Sequence, residues 1–325
     1  MVKVGIIGAG RIAGIMADTL RNMDSVECYA VAARDKERAE HFRKTYGFQK
    51  AYGSYEELAE DPEVELVYIA TPHSHHCQHT KLCLEHGKHV LCEKAFAVNE
   101  KEAREMISMA EKKGLLLTEA IWTRYMPMRK VLDDVLASGI IGKPWMVTAN
   151  LGYLISHKER IAKPELAGGA LLDVGIYPLN FASMVLGNDI EAITGTAVFN
   201  EYGVDMQNSI TLTYKDGRMA VLNSSALGLS DRRGVIYGEK GFVEVRNVNN
   251  CEGISVYNTD RKLVASYETP HQISGYEYEV EACVYAIEHG LKECHQMPHQ
   301  ETILMMQWMD SLRKQWGMVY PMEKQ

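Results

Sequence analysis

Over the first 120 residues short apolar runs alternate with longer amphipathic stretches. Val2–Ile7 leads into the turn Gly8-Ala-Gly10, after which Ile12, Ile15, Met16 and Leu20 recur at helical spacing. A β-like run at Val26–Ala33 precedes a helix that runs to Tyr46 and ends at Gly47. Val64–Ala70 reads as a buried strand, His76–His86 as a helix stopped by Gly87, and His89–Cys92 as another strand. Asn99 with Glu102 starts a helix, Gly114 ends it, and Leu115–Glu119 closes the series. Strands and helices alternating this way predict βαβ units, hence an α/β domain with a Rossmann-type doubly wound parallel sheet.

Beyond Trp122 the pattern changes. A helix over Pro127–Ala137 is followed by runs at Trp145–Tyr153, Ile190–Phe199, Asp205–Tyr214, Met219–Ala226, Val235–Tyr237, Phe242–Val245 and Ile254–Tyr257. Asp216-Gly217 and Lys240-Gly241 between them read as hairpin turns. Helices at Tyr276–His289 and His299–Gln315 finish the chain. The expectation is an NAD(P)-binding domain over 1–120 and a substrate-binding, oligomerising α+β domain over 121–325, built on a mostly antiparallel open sheet. One face of that sheet lacks helices to cover it, which predicts a homodimer through the C-terminal sheet.

The opening turn suggests chemistry. Gly8 permits the tight bend, Gly10 lets a pyrophosphate approach the backbone, and small Ala13 lets helix pack on strand. Unpaired N–H groups where Arg11 and Ile12 begin the helix then face phosphates. The second strand narrows the cofactor: Ala33 stands where NAD-binding units usually carry an acid, and Arg34 offers a fork for a 2′-phosphate. Asp35 fits better as the cap of the next helix. NADP is therefore expected, with NAD as the alternative.

A net charge of −8 over 325 residues argues against nucleic acid and anionic membranes as partners. No apolar run is expected to span a bilayer, and the first strand does not read as a signal peptide. Seven cysteines without a CxxC pair suggest reduced thiols and a cytoplasmic setting.

Three sets of residues could do chemistry. Glu93-Lys94 ends a parallel strand, on the side where such sheets bind ligands. Gly168-Gly169 precedes Asp173 and Tyr177, which share a face if helical, and the glycines would admit a ligand close to the backbone. A neighbouring ammonium such as Lys94 would bring a tyrosine of pKa about 10 toward neutrality. Thr71-Pro72-His73-Ser74-His75-His76 with His79 invites a metal reading, but the spacing suits helix-start contacts to nicotinamide and ribose better, so no metal is expected.

These motifs, in this order and spacing, resemble the glucose–fructose oxidoreductase, inositol dehydrogenase and MocA family across essentially the whole chain. Glu119-Ala-Ile-Trp122-Thr-Arg124-Tyr125-Met-Pro127 and Gly169–Pro178 look like its dimeric dihydrodiol dehydrogenase branch. The resemblance implies that Lys94 and Tyr177 line the catalytic site, that Asp173 holds substrate hydroxyls, and that Trp122 and Arg124 flank the cofactor. Three departures stand out. Ala95 replaces the usual proline after Glu-Lys, which would relax the backbone beneath Lys94, and His73 replaces the commoner asparagine. Tyr177 stands where many members have histidine.

The resulting expectation is an NADP-preferring oxidoreductase acting on a secondary alcohol of a sugar, polyol or cyclic diol. Tyr177 would move the hydroxyl proton, with Lys94 polarising the same oxygen, although the two could exchange roles. The alternatives are a non-catalytic dinucleotide sensor, which would need none of Lys94, Asp173 and Tyr177, and an NAD-dependent glycosidase of the same fold.

Overall fold

Where the chain carries unbroken apolar runs, its strands are buried on both faces, and where apolar and polar residues alternate, on one. The computed structural model describes Met1–Lys324. The chain divides into two compact units, Met1–Tyr125 with Gln272–Met306, and Met126–His271 with Gln307–Gln325.

The first unit opens with β1 (Val2–Ile7), α1 (Arg11–Leu20), β2 (Val26–Ala32), α2 (Lys36–Tyr46), β3 (Lys50–Tyr52) and α3 (Tyr55–Glu60). It continues with β4 (Leu66–Ile69), α4 (His76–Glu85), β5 (His89–Glu93), α5 (Glu100–Lys113) and β6 (Leu117–Ala120). The six strands form one sheet in the order β3-β2-β1-β4-β5-β6, every pairing parallel. Order reverses at β1 and β4, which places the crevice at their carboxyl ends, where such sheets bind ligands. All four residues of β4 and of β6 are buried, as helices on both faces require. The sequence pattern did not reveal β3 and α3, because three residues of strand and six of helix are too short to show a period.

The second unit contains α6 (Pro127–Ala137), β7 (Pro144–Gly152), α7 (Glu159–Ala162), α8 (Ile176–Leu186), β8 (Ile190–Phe199), β9 (Asp205–Tyr214) and β10 (Met219–Ser225). Then come β11 (Gly234–Gly238), β12 (Gly241–Arg246), β13 (Gly253–Asn258) and β14 (Leu263–Glu268). Eight strands lie in the order β14-β13-β12-β11-β7-β10-β9-β8, antiparallel except for β7 with β10. β14, an edge strand with mostly exposed side chains, lacked the alternation that marks the others. Along β7 and β10 buried residues alternate with exposed or half-buried ones, and α8 packs on β7, β10 and β11. Cross-strand register puts Met219, Met146, Tyr237, Phe242, Tyr257 and Leu263 in one row across the sheet. Every residue of that row is exposed or half-buried.

The chain ends with α9 (Glu277–Glu288) and α10 (His299–Gln315). α9 and the start of α10 belong to the first unit, so the division is discontinuous, whereas the pattern suggested a single cut between 120 and 121. Polar anchors make the return. His299 Nε2 donates to the Leu117 carbonyl at 2.8 Å, and the Thr302 hydroxyl donates to Glu119 Oε2 at 3.0 Å. The helical stretch Pro164–Leu186 is long and apolar enough to cross a bilayer, contrary to the expectation that no run would be. Of its most apolar window 89% is buried within the protein, which is the behaviour of a core helix.

Candidate active site

In the first unit the glycine turn joins β1 to α1. Gly8 has φ +104°, and a Cβ there would lie 2.9 Å from the Ala70 carbonyl oxygen, so the residue must be glycine where β1 passes the end of β4. A Cβ on Gly10 would meet nothing within 4 Å, and no side chain caps α1. The first-turn N–H groups of α1 are thus left without a side-chain cap, beside a glycine whose Cβ side is open, the arrangement that receives a dinucleotide pyrophosphate. The residues present fit that group.

At the end of β2, Ala33 is buried and Arg34 exposed. Asp35 caps α2, accepting from the Glu37 amide at 2.9 Å and the Arg38 amide at 3.5 Å, so the acid nearest the ribose position is engaged in the helix. Burial, with a smaller contribution from the Arg34 guanidinium, lowers the pKa of His75, and burial together with His75, His76 and Arg34 takes His79 to about 4. Arg38, which sequence reasoning passed over, donates to the Ala9 carbonyl at 2.8 and 3.2 Å and braces the glycine turn from α2.

His76 ties Thr71-Pro72 to the Lys94 turn. Its ring is fully buried between two carbonyl oxygens, Ala95 at 2.8 Å from Nδ1 and Thr71 at 2.8 Å from Nε2. Burial takes its pKa down to about 4, so the neutral ring carries one N–H and serves one carbonyl at a time. His73 and His79 are buried too, and the Thr71 hydroxyl meets His79 Nδ1 at 3.0 Å. Among the described residues no three His, Cys, Asp or Glu side chains are grouped to hold a metal.

The turn that carries Lys94 is held at every residue. Lys94 N–H donates to Glu93 Oε2 at 3.2 Å, while the Tyr68 hydroxyl donates to Glu93 Oε1. The Lys94–Ala95 peptide is cis. The Ala95 carbonyl faces His76, and Phe96 N–H donates to Glu119 Oε1 at 3.2 Å. The relaxed backbone expected from the missing proline is therefore not found, because side chains of β4, α4, β5 and β6 fasten the turn. Glu119 is almost wholly buried, and burial lifts its carboxyl to about 7. Beyond β6, Trp122 stacks on Tyr276 with ring centroids 4.2 Å apart, and Arg124 pairs with Glu301 at 2.9 Å. Tyr276 carried no sequence signal, since its partner lies more than 150 residues away.

The second unit holds Asp173 and Tyr177. Leu171–Gly175 is helical but wound as a π turn, with i→i+5 bonding, before α8 continues as an α-helix. Both side chains are largely buried, and Asp173 Oδ1 accepts from Arg160 Nη1 at 2.6 Å. Arg160, on α7, was not singled out beforehand. The paired glycines serve the chain's own packing instead of a ligand. A Cβ on Gly168 would lie 2.4 Å from the Ile161 carbonyl, and one on Gly169 only 2.3 Å from Asp205 Oδ1.

Residues 2–121 match the oxidoreductase family with an NAD-binding Rossmann fold, and 130–244 match the GFO/IDH/MocA C-terminal domain. This chain belongs to the GFO/IDH/MocA family. It is similar to trans-1,2-dihydrobenzene-1,2-diol dehydrogenases of Mus musculus, at 37% identity, and Xenopus tropicalis, at 34%. The alignments cover 99% and 98% of this chain and 99% of each relative. Among solved structures, a 3-ketoreductase from Actinomadura kijaniata in complex with NADP and TDP-benzene superposes with a TM-score of 0.88. It is 24% identical, with 96% of this chain and 97% of that one covered. An aldose–aldose oxidoreductase from Caulobacter crescentus gives 0.86 at 22% identity, with 96% of each covered. The GFO/IDH/MocA assignment makes this chain an NAD(P)-dependent dehydrogenase or reductase acting on CH–OH groups, as the glycine turn, Glu93-Lys94 and Tyr177 suggested.

Proposed function

We propose that this protein is an NADP-preferring dehydrogenase of a secondary alcohol in a cyclic diol, polyol or sugar, working as a cytoplasmic homodimer. Full-length similarity to dihydrobenzenediol dehydrogenases supports the substrate class. The observation that carries the cofactor choice is the engagement of Asp35 in the α2 cap, which leaves Arg34 as the charged group at the end of β2. An arginine in that place suits a 2′-phosphate.

The bound nicotinamide supplies hydride transfer. Tyr177 takes or returns the proton of the reacting hydroxyl, and the Lys94 ammonium holds the same oxygen. Asp173, oriented by Arg160, accepts from a neighbouring hydroxyl, which favours vicinal diols. The Trp122–Tyr276 stack adds a flat aromatic wall in the nucleotide-binding unit. The row from Met219 to Leu263 supports the homodimer, because a contiguous apolar band across an open sheet face is stabilised by a second copy of itself.

The test is a screen of trans-diols, polyols and aldoses with NADP⁺ and NAD⁺ side by side, following absorbance of the reduced cofactor. Oxidation of a diol with NADP⁺ preferred is the expected result. Arg34→Ala should then raise KM for NADP⁺ roughly ten- to hundredfold, the worth of one charge-assisted hydrogen bond, and leave that for NAD⁺ nearly unchanged. An enzyme preferring NAD⁺, or losing both cofactors equally in Arg34→Ala, would refute the assignment.

A further inference from the structure

The geometry points to a clamp in which Asp205 and the C-terminal segment, acting through Tyr320, are positioning elements for the helix that carries Asp173 and Tyr177. This inference rests on the reading that those two residues serve the reaction.

The clamp closes on the entrance of that helix from two directions. From β9, Asp205 Oδ2 accepts the Leu171 amide at 2.8 Å, satisfying an N–H that the helix start would otherwise leave unpaired. The same oxygen accepts from Asn208 Nδ2 at 3.0 Å, and Asn208 Oδ1 accepts from the Ser224 hydroxyl at 2.9 Å. Ser224 Oγ in turn lies where a Cβ on Gly175 would approach to 3.0 Å. One connected set of side chains therefore touches both ends of the π turn Leu171–Gly175. Asp205 is 0% exposed, and its Oδ1 occupies the space where a side chain at position 169 would stand.

From the other direction, the buried Tyr320 hydroxyl donates to the Gly168 carbonyl, 152 residues earlier in the chain. Tyr320 is itself fixed. Arg313, also buried, places its guanidinium 4.8 Å from the centre of the tyrosine ring. Arg313 bonds to both Glu323 oxygens at 2.7 and 2.9 Å, and Glu323 accepts the Tyr320 amide at 2.9 Å. A buried ion pair contributes little net stability once desolvation is counted. Its effect here is geometric, since it admits one placement of the tail and therefore one position for the Tyr320 hydroxyl. A π turn lacks the regular i→i−4 ladder that makes an α-helix self-supporting, so external fixation decides where its side chains stand. Placement matters at this position, because a misplacement of about 1 Å at reacting groups costs on the order of a hundredfold in rate.

The experiment compares Tyr320→Phe, Asp205→Ala and Asp205→Asn in the full chain. It reads hydrogen exchange of the 169–177 amides together with kcat and the KM for cofactor. Tyr320→Phe and Asp205→Ala should speed exchange in that segment and lower kcat about tenfold, the worth of one hydrogen bond, at unchanged cofactor KM. Asp205→Asn keeps an acceptor for the Leu171 amide and should stay near wild type. Unchanged exchange in Tyr320→Phe would overturn the clamp, and so would an Asp205→Asn as impaired as Asp205→Ala. Faster exchange at unchanged turnover is decided by Tyr177→Phe. If that variant is inactive, the clamp does not position the helix for catalysis and the proposal falls. If it is active, the clamp stands and the catalytic reading of Tyr177 fails.

Discussion

The parallel sheet of the first unit is buried on both faces, and the mixed sheet of the second on one, and their candidate functional groups differ in the same way. In the first unit the candidate phosphate contacts belong to the backbone, at the start of α1 and around Gly8 and Gly10. The side chains nearby, His76 and Arg38, are bonded to main-chain carbonyls. In the second unit the candidate groups are held by side chains, with Arg160 on Asp173 and Asp205 on the helix entrance. A dinucleotide offers the same phosphates to every enzyme that binds it, so a backbone cradle on a doubly covered sheet suffices. A substrate is specified by side chains, which must be braced by others from distant parts of the chain.

The largest expected effect tests whether Tyr177 and Lys94 serve one reaction. Tyr177→Phe should lower kcat roughly 10²–10⁴-fold with cofactor binding nearly unchanged. Lys94→Met should be comparably severe, and the double variant little worse than either alone, as for groups acting as a unit. Multiplied losses would give the two residues separate tasks, and near-normal turnover by Tyr177→Phe would make that residue a packing group.

A smaller effect tests the difference in sheet coverage. The wild-type protein should sediment near twice its chain mass at micromolar concentration. Placing charge on the exposed row, in a Met146→Lys, Tyr237→Lys double variant, should shift the population toward monomer, while the same charge on exposed α2 should not. A wild type that stays monomeric at high concentration would require the face to be covered in some other way.

The smallest effect concerns Glu119 in the first unit. Burial raises this carboxyl from 4.5 to about 7. Between those values the native state holds a proton that the unfolded chain has released. The associated stability is therefore present below pH 4.5 and is lost as pH rises toward 7. Glu119→Gln cannot ionise, and its melting temperature relative to wild type should increase by a few degrees between pH 5 and pH 8. A difference that stays constant with pH would mean that Glu119 is ionised in the native protein across this range.

Much of the first unit is legible in one dimension because its signals are local. A glycine turn, a cap such as Asp35, and the stops at Gly47 and Gly114 each act within a few residues. Lys94 was legible as a candidate because topology alone sends the end of a parallel strand to the ligand side. The partners that hold it were not, since Tyr68, His76 and Glu119 come from other strands and helices. Gly168-Gly169 read as a place where a ligand could approach the backbone, whereas the Ile161 carbonyl and Asp205 Oδ1 fill that space.

By itself the sequence determined most of the succession of strands and helices, the two architectures and the glycine turn after the first strand, and it nominated Arg34, Lys94, Asp173 and Tyr177 as candidates. The elements follow from periodicity and from interactions within a turn or two of chain, and the candidate residues from their place in motifs that resemble a family. Only the tertiary structure decided that α9 and the start of α10 return to the first unit, that Trp122 meets Tyr276, that Arg160 pairs with Asp173, and that Tyr320 reaches Gly168. The physical reason is that such contacts join residues far apart in the chain. Their partners are selected by burial and shape in the folded state, and neither leaves a period in the sequence.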